Sequence, residues 1–90
     1  MQPDYLRLKS RVATDLPPNP EDTLNIQWLL ASLGYYDKSE HGTTKTPNFF
    51  MYEGIWNFQR DNDLRHDSVM NPRGETELTL NQQLADRQKS

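Results

Sequence analysis

Ninety residues make one small domain, able to bury only about 60% of the surface its unfolded chain exposes, and 33% hydrophobic residues with charges of both signs suit a soluble globular domain better than a disordered chain. A net charge of -3 with no basic block argues against nucleic acid as a partner, because such binding draws on clustered Lys and Arg against phosphates. The absence of cysteine excludes disulfides, thiol nucleophiles and the common structural zinc sites, and no apolar run approaches the roughly twenty residues of a membrane span.

Residues 1–18 form an arm. Tyr5, Leu6, Leu8, Val12 and Leu16 are scattered among charges, and Pro17-Pro18 forbids helix at its end. Those apolar residues predict that the arm lies on the domain, in helical or extended form. Pro3, Asp4, Arg7 and Lys9 interrupt any signal-peptide core, so the expectation is either an intracellular protein or a module from a longer secreted chain, periplasmic or extracellular in that case.

The domain proper is expected over residues 19–86. Asn19-Pro20-Glu21-Asp22 is a helix start: an Asn cap, a proline where its missing N–H costs nothing, then acids at the positive end of the dipole. Gly34 closes that helix, and Ile26, Leu29, Leu30 and Leu33 form its apolar stripe at i, i+3, i+4, i+7. Tyr35 to Pro47 is a long polar loop, a candidate for function or for short extended pieces. A second helix starts near Thr46 to Asn48 and runs to about Asn62, with Met51, Ile55 and Phe58 as its stripe. Leu64, Val69 and Met70 anchor the following turn. A third helix starts between Asn71 and Gly74 and carries Thr76, Leu80 and Leu84, and residues 87–90 are expected to fray. Three such stripes without strand-like alternation predict an all-α domain, a compact three-helix bundle with an N-terminal arm.

In their order and spacing, Ile26-Gln27, Leu30, Gly34-Tyr35-Tyr36, Gly54-Ile55, Phe58-Gln59, Val69 and Thr76 resemble the peptidoglycan-binding domain-like family, the three-helix modules of bacterial cell-wall hydrolases. The resemblance covers about Asp22 to Leu84. It departs at Ser68, where the family prefers glycine and a strained or altered turn is therefore expected, at Met51, which replaces a capping threonine, and in the length of the loop from Asp37 to Pro47. The resemblance implies non-catalytic attachment to cell-wall peptidoglycan, through glycan or stem peptide, with catalysis on another domain.

Between Asn48 and Leu64 lie five of the chain's nine aromatic residues. With Met51, Ile55 and Phe58 facing the core, Phe50 falls on the flank, Tyr52 lies about 100° away and Phe49 and Trp56 roughly 140–160° away. Phe49, Tyr52 and Trp56 thus form a second, outward stripe at i, i+3, i+7, and Trp28 points outward from the first helix. Burying a large aromatic is worth roughly 2–3 kcal/mol, so something should cover these rings. The candidates are the arm folding back through Tyr5, Leu6, Leu8 and Val12, a sugar or partner protein using an exposed platform, and self-association.

The expected ligand-binding set is Tyr36, Phe50, Tyr52 and Trp56 for stacking, with Arg60 and loop backbone for polar contacts. Arg60 and Arg73 are candidates for capturing stem-peptide carboxylates, against the commoner fate of a solvated arginine. Tyr35 and Tyr36 divide between core packing and a groove rim. On the family pattern Gln27 and Gln59 hold loop backbone. His66-Asp67-Ser68 cannot make a triad from three consecutive positions and reads as a turn. His41 and His66 are too few for a metal site, and Asp61, Asp63 and Asp67 lack the glycine and terminal glutamate of a calcium loop. No enzyme, cofactor or metal site is expected. The alternative reading is a protein-interaction module that uses the outward aromatics without touching the wall; a small hydrolase is the third.

Overall fold

The computed structural model describes residues 3–88. Its helices are α1 (Pro20–Ser32), α2 (Lys38–His41), α3 (Phe49–Asp61) and α4 (Glu75–Gln88), and among the described residues no β-strand forms, so the all-α expectation holds. Also among the described residues, no helix is long and apolar enough to cross a membrane. α4 continues through Arg87 to Gln88, where fraying was expected. Lys89 and Ser90, the rest of that tail, and Met1 and Gln2 of the arm lie outside the described residues.

The local signals set the helix ends. The Asn19 side chain accepts from the Asp22 amide at 3.0 Å with Pro20 in the first turn, and the Asn48 side chain accepts from the Met51 amide at 2.9 Å. α2 is a single turn inside the segment expected to be loop: the Asp37 carboxylate accepts from the amides of Ser39 and Glu40, both at 3.1 Å.

α1 and α3 end in the same hydrogen-bonded pattern. After α1, Tyr35 N–H donates to the Leu30 carbonyl (2.8 Å) and Gly34 N–H to Ala31 (3.1 Å). After α3, Leu64 N–H donates to Gln59 (2.9 Å) and Asp63 N–H to Arg60 (3.2 Å). Both are Schellman closures, which require a left-handed residue. Gly34 meets that demand at φ 86°, but Asp63 meets it at φ 56° with a Cβ and a negative charge at the helix's negative end. Asp63→Gly is expected to stabilise the domain by about 0.5–1 kcal/mol, the relieved strain being partly offset by a more flexible unfolded chain. Thermal unfolding would then shift up by a few degrees, and an unchanged or lower Tm would show that Asp63 is not strained.

The core contains Ile26, Leu29 and Leu30 of α1, Met51, Ile55 and Phe58 of α3, and Leu80 and Leu84 of α4, as the stripes predict. α1 and α3 approach closely at Gly54, where an added Cβ would lie 2.5 Å from the Tyr35 carbonyl oxygen.

The arm packs into the body of the domain and not over the outer aromatic face. Leu6, Leu8 and Val12, 0–1% exposed, belong to the core itself. They do not cover the outer aromatic face, and Tyr5, expected to help, is 62% exposed. Between α1 and α4 the arm buries alternate side chains, Leu6 and Leu8, around exposed Arg7, and its backbone is held by side chains of the helical body. Asn81 receives the Leu6 amide (2.7 Å) and returns a bond to the Leu6 carbonyl (2.8 Å). Buried Glu77 accepts from the Leu8 amide at 2.6 Å. Buried Asp22 accepts from the amides of Lys9 (2.9 Å) and Ser10 (3.2 Å). Val12 and Met70 exchange backbone bonds of 2.8 and 2.9 Å as an isolated antiparallel bridge.

Candidate functional site

The outward stripe forms as the helical projection requires. Phe49, Tyr52 and Trp56 share one face of α3 and line an open, mainly apolar groove of about 440 Å³, walled further by Thr14, Glu53 and Ser68. Phe49 is 69% exposed and Trp56 37%. Among the described residues of the arm, Thr14 alone lines this groove.

Trp56 has two charged or titratable neighbours. The Arg60 guanidinium carbon stands 5.4 Å from its ring centroid, and the His66 ring meets it edge-on at 5.2 Å. Arg60 also bonds Asp61 through Nε (3.2 Å) and Nη2 (3.1 Å), which fixes a cation at the Trp56 end of the row. An arginine over an indole is attracted to the negative face of the ring.

The remaining predicted residues divide. Phe50, 43% exposed, stacks on His41 with centroids 3.7 Å apart and planes 8° from parallel, on the flank of α3 beside α2. Tyr36 is withdrawn: it is 6% exposed, its hydroxyl donates to the Gly42 carbonyl at 2.6 Å and accepts from Asn48 at 2.9 Å. Its hydroxyl therefore braces the loop behind α3 and is not presented at a rim. Arg73 was a candidate for ligand carboxylates, but it pairs with Glu77 (3.4 Å) and donates to the Leu8 carbonyl (2.8 Å), so it holds the arm. Trp28 leaves the core as expected and is half-buried, with the Lys38 ammonium 4.3 Å above its ring. Phe49, His41 and His66 were not in the predicted site. Phe49 carried a signal, standing three residues before Tyr52; the two histidines reach the aromatics only through the folding of their loops.

Both glutamines bind backbone. Gln27 receives the Thr44 amide (2.7 Å) and donates to the Thr46 carbonyl (3.3 Å), fixing the loop that leads into α3. Gln59 gathers the turn before α4: its carbonyl oxygen accepts from Asp67 (3.1 Å) and Ser68 (2.9 Å), and its amide nitrogen donates to Val69 O (2.9 Å), Thr76 Oγ1 (3.0 Å) and Asp67 Oδ1 (3.3 Å). Ser68, where the family resemblance expects glycine, keeps a left-handed backbone at φ 60° and donates its hydroxyl to the Tyr52 carbonyl at 3.0 Å. That bond ties the groove wall to α3.

At the C-terminal end of α3, Tyr35 donates its phenol to Asp61 Oδ2 at 2.7 Å. That bond, followed by the Arg60 bonds, holds the Asp61 carboxyl below the usual carboxylate range. Burial first, then the Asp61 bond, raises the Tyr35 phenol above its usual range. The depressed carboxyl stabilises the fold above about pH 4, and that contribution fades as pH falls through the folded value; the raised phenol stabilises it below about pH 10, fading as pH climbs through its folded value. Tyr35→Phe keeps the edge contact with Phe58, 5.4 Å between centroids. It should therefore be less stable than the unaltered chain between about pH 4 and pH 10, and the two urea midpoints should converge in stronger acid and stronger base. A gap independent of pH would show that the contribution of the hydroxyl does not depend on the ionisation of Asp61 or Tyr35.

A second, polar recess of about 260 Å³ lies by the start of α4 among Gln59, Arg65, Asp67 and Glu75. Among the described residues, no group of three His, Asp or Glu side chains is placed to hold a metal ion. No known protein-family model matches the chain, and no curated protein matches it.

Proposed function

We propose that this domain is a non-catalytic binding module for bacterial cell-wall peptidoglycan, a compact three-helix peptidoglycan-binding-like unit that tethers a partner or neighbouring domain. The observation that supports it best is the row Phe49, Tyr52 and Trp56 along an open groove, ended by Arg60. Flat apolar rings suit the apolar faces of sugar rings, and the Arg60 guanidinium, although paired with Asp61 through two nitrogens, has further N–H groups to share with a carboxylate on a stem peptide. The order of Ile26-Gln27, Gly34-Tyr35-Tyr36, Phe58-Gln59 and Thr76 in the sequence supports the same reading. Single-site affinity on so open a surface is weak, and attachment gains from tethering to a second binding domain.

Sedimentation with purified insoluble peptidoglycan tests this. The domain should pellet with the wall, and Trp56→Ala should weaken binding about tenfold, the effect of losing about 1.4 kcal/mol at a central aromatic contact. Trp56 lies outside the core cluster, so circular dichroism should be unchanged. An unaltered domain that stays in the supernatant would overturn the wall reading, and a clearing band on a zymogram would overturn the non-catalytic one. The exposure of Phe49 and Phe50, at 69% and 43%, favours a second reading: a protein-interaction module whose aromatics dock a protein. Co-purification of one protein partner that Trp56→Ala abolishes, with no wall binding, would select it.

A further inference from the structure

We propose that the cleft between α1 and α4 is a receptor for an extended peptide, filled in one chain by its own arm, and that two copies of this chain exchange arms to form a dimer. The cleft is built for a backbone. Asn81 grips both polar groups of Leu6, Glu77 and Arg73 take the amide and carbonyl of Leu8, and Asp22 takes the next two amides. Leu6, Leu8 and Val12 fill the apolar positions between those contacts. This is recognition of an extended strand by main-chain bonds with pockets for alternate side chains, except that side chains of helices replace the edge of a sheet.

An empty cleft would open three core positions, those filled by Leu6, Leu8 and Val12, to water and would take from Asp22 and Asn81 the backbone groups they bind. Exposed apolar surface is unfavourable in proportion to its area, so an occupied cleft is strongly favoured. Nothing in those contacts specifies whose arm it is, because the gripping residues all lie in the body from Asp22 to Asn81. A second copy supplies a ligand with every contact identical, which makes exchange nearly neutral apart from the hinge and concentration.

The hinge is the segment from Thr14 to Asn19. Leu16 N–H donates to the Ala13 carbonyl at 3.3 Å in a turn that reverses the chain, and Thr14 through Pro17 are exposed. The hinge is short, and Pro17-Pro18 restricts the backbone conformations through which the arm can fold back on its own body. Against this stands the mM effective concentration of a tethered arm, so the unaltered chain is a monomer at low concentration and exchanges when concentrated.

Deleting Asp15–Pro18 removes the reversal and keeps Thr14. The variant should be a dimer by light scattering at about 10 µM, with a dissociation constant at least a hundredfold below the mM value set by the tethered arm. A mixture of isotope-labelled and unlabelled variant chains should give intermolecular NOEs from Leu6 and Leu8 to Asn81 and Glu77. A folded monomer, a dimer lacking those NOEs, or a variant that remains unfolded up to about 1 mM would each overturn the proposal. As an independent measurement, the unaltered chain refolded as a labelled and unlabelled mixture at about 1 mM should contain a dimer fraction showing the same NOEs, and their absence would also overturn it. None of these readouts depends on peptidoglycan.

Discussion

Gln59→Ala is expected to destabilise the domain by about 3 kcal/mol. Gln59 is 1% exposed and makes five hydrogen bonds that join α3, the turn from Asp67 to Val69 and the first turn of α4. Truncation strands two amides, a carbonyl and the Thr76 hydroxyl. Each buried polar group left without a partner costs about 1–3 kcal/mol, but the neighbouring polar recess admits water to part of the set, which keeps the total near the lower end of the sum. Gln59→Glu separates the two halves of the side chain. The remaining oxygen still accepts from Asp67 and Ser68, while a second oxygen now faces the Val69 carbonyl and the Asp67 carboxylate. The glutamate variant should therefore lose about 2–3 kcal/mol at pH 7 and recover part of it in acid, where its carboxyl can donate. Urea unfolding at pH 7 and pH 4.5 measures both. A loss below about 1 kcal/mol for Gln59→Ala would show that water replaces the side chain without difficulty.

The parts of the fold that could be read from the sequence are those governed by neighbours within a few positions. Asn19 with Pro20, Gly34 and Asn48 bound their helices as capping chemistry requires, and projection of α3 separates Ile55 and Phe58 from Tyr52 and Trp56 because a helix has a fixed period. α2 could have been found the same way. Asp37 and Glu40 stand at the spacing of an N-terminal cap, but a run of four residues carries no hydrophobic period to draw the eye. The side chains that hold the arm could not be read for a different reason. Asp22 and Glu77 look like acids placed to complement helix dipoles, and only the folded chain shows them receiving amides from Lys9 and Leu8, the latter 69 positions away.

The candidate site follows the same division. The aromatic row on α3 is local geometry and was foreseeable; the fate of Tyr36 was not, because Gly42 and Asn48 claim its hydroxyl through a loop whose path the sequence does not set. Arg60 and Arg73 looked equivalent as free guanidinium groups. Their roles part because Arg60 stands one turn beyond Trp56 on the same helix, whereas Arg73 precedes α4 at φ 60°, where it meets the arm. Sequence patterns therefore located the groove, and tertiary contacts decided which polar residues remain available to it.

Gly54→Ala should be the most damaging small substitution in the α1–α3 interface, with a net loss of about 1–3 kcal/mol. Elsewhere on a helix the change would be favourable by about 0.5–1 kcal/mol, because glycine is a poor helix former. Here the new methyl would lie 2.5 Å from the Tyr35 carbonyl oxygen and 3.3 Å from Leu30 Cδ1. The leucine can turn aside, but the carbonyl is backbone, positioned directly after the Schellman closure at Gly34 that ends α1. Relief requires α1 and α3 to separate or that closure to open, and either movement loosens the packing of Leu30 against Ile55 and Phe58 in the core. Asn57→Ala on the same helix serves as the reference for propensity alone and should change stability by less than about 0.5 kcal/mol. The denaturant slope should be unchanged for both variants, since the unfolded chain is altered by only one methyl or one amide. Equal stability of Gly54→Ala and the unaltered chain would mean that the two helices do not approach as closely as the Gly54–Tyr35 contact requires.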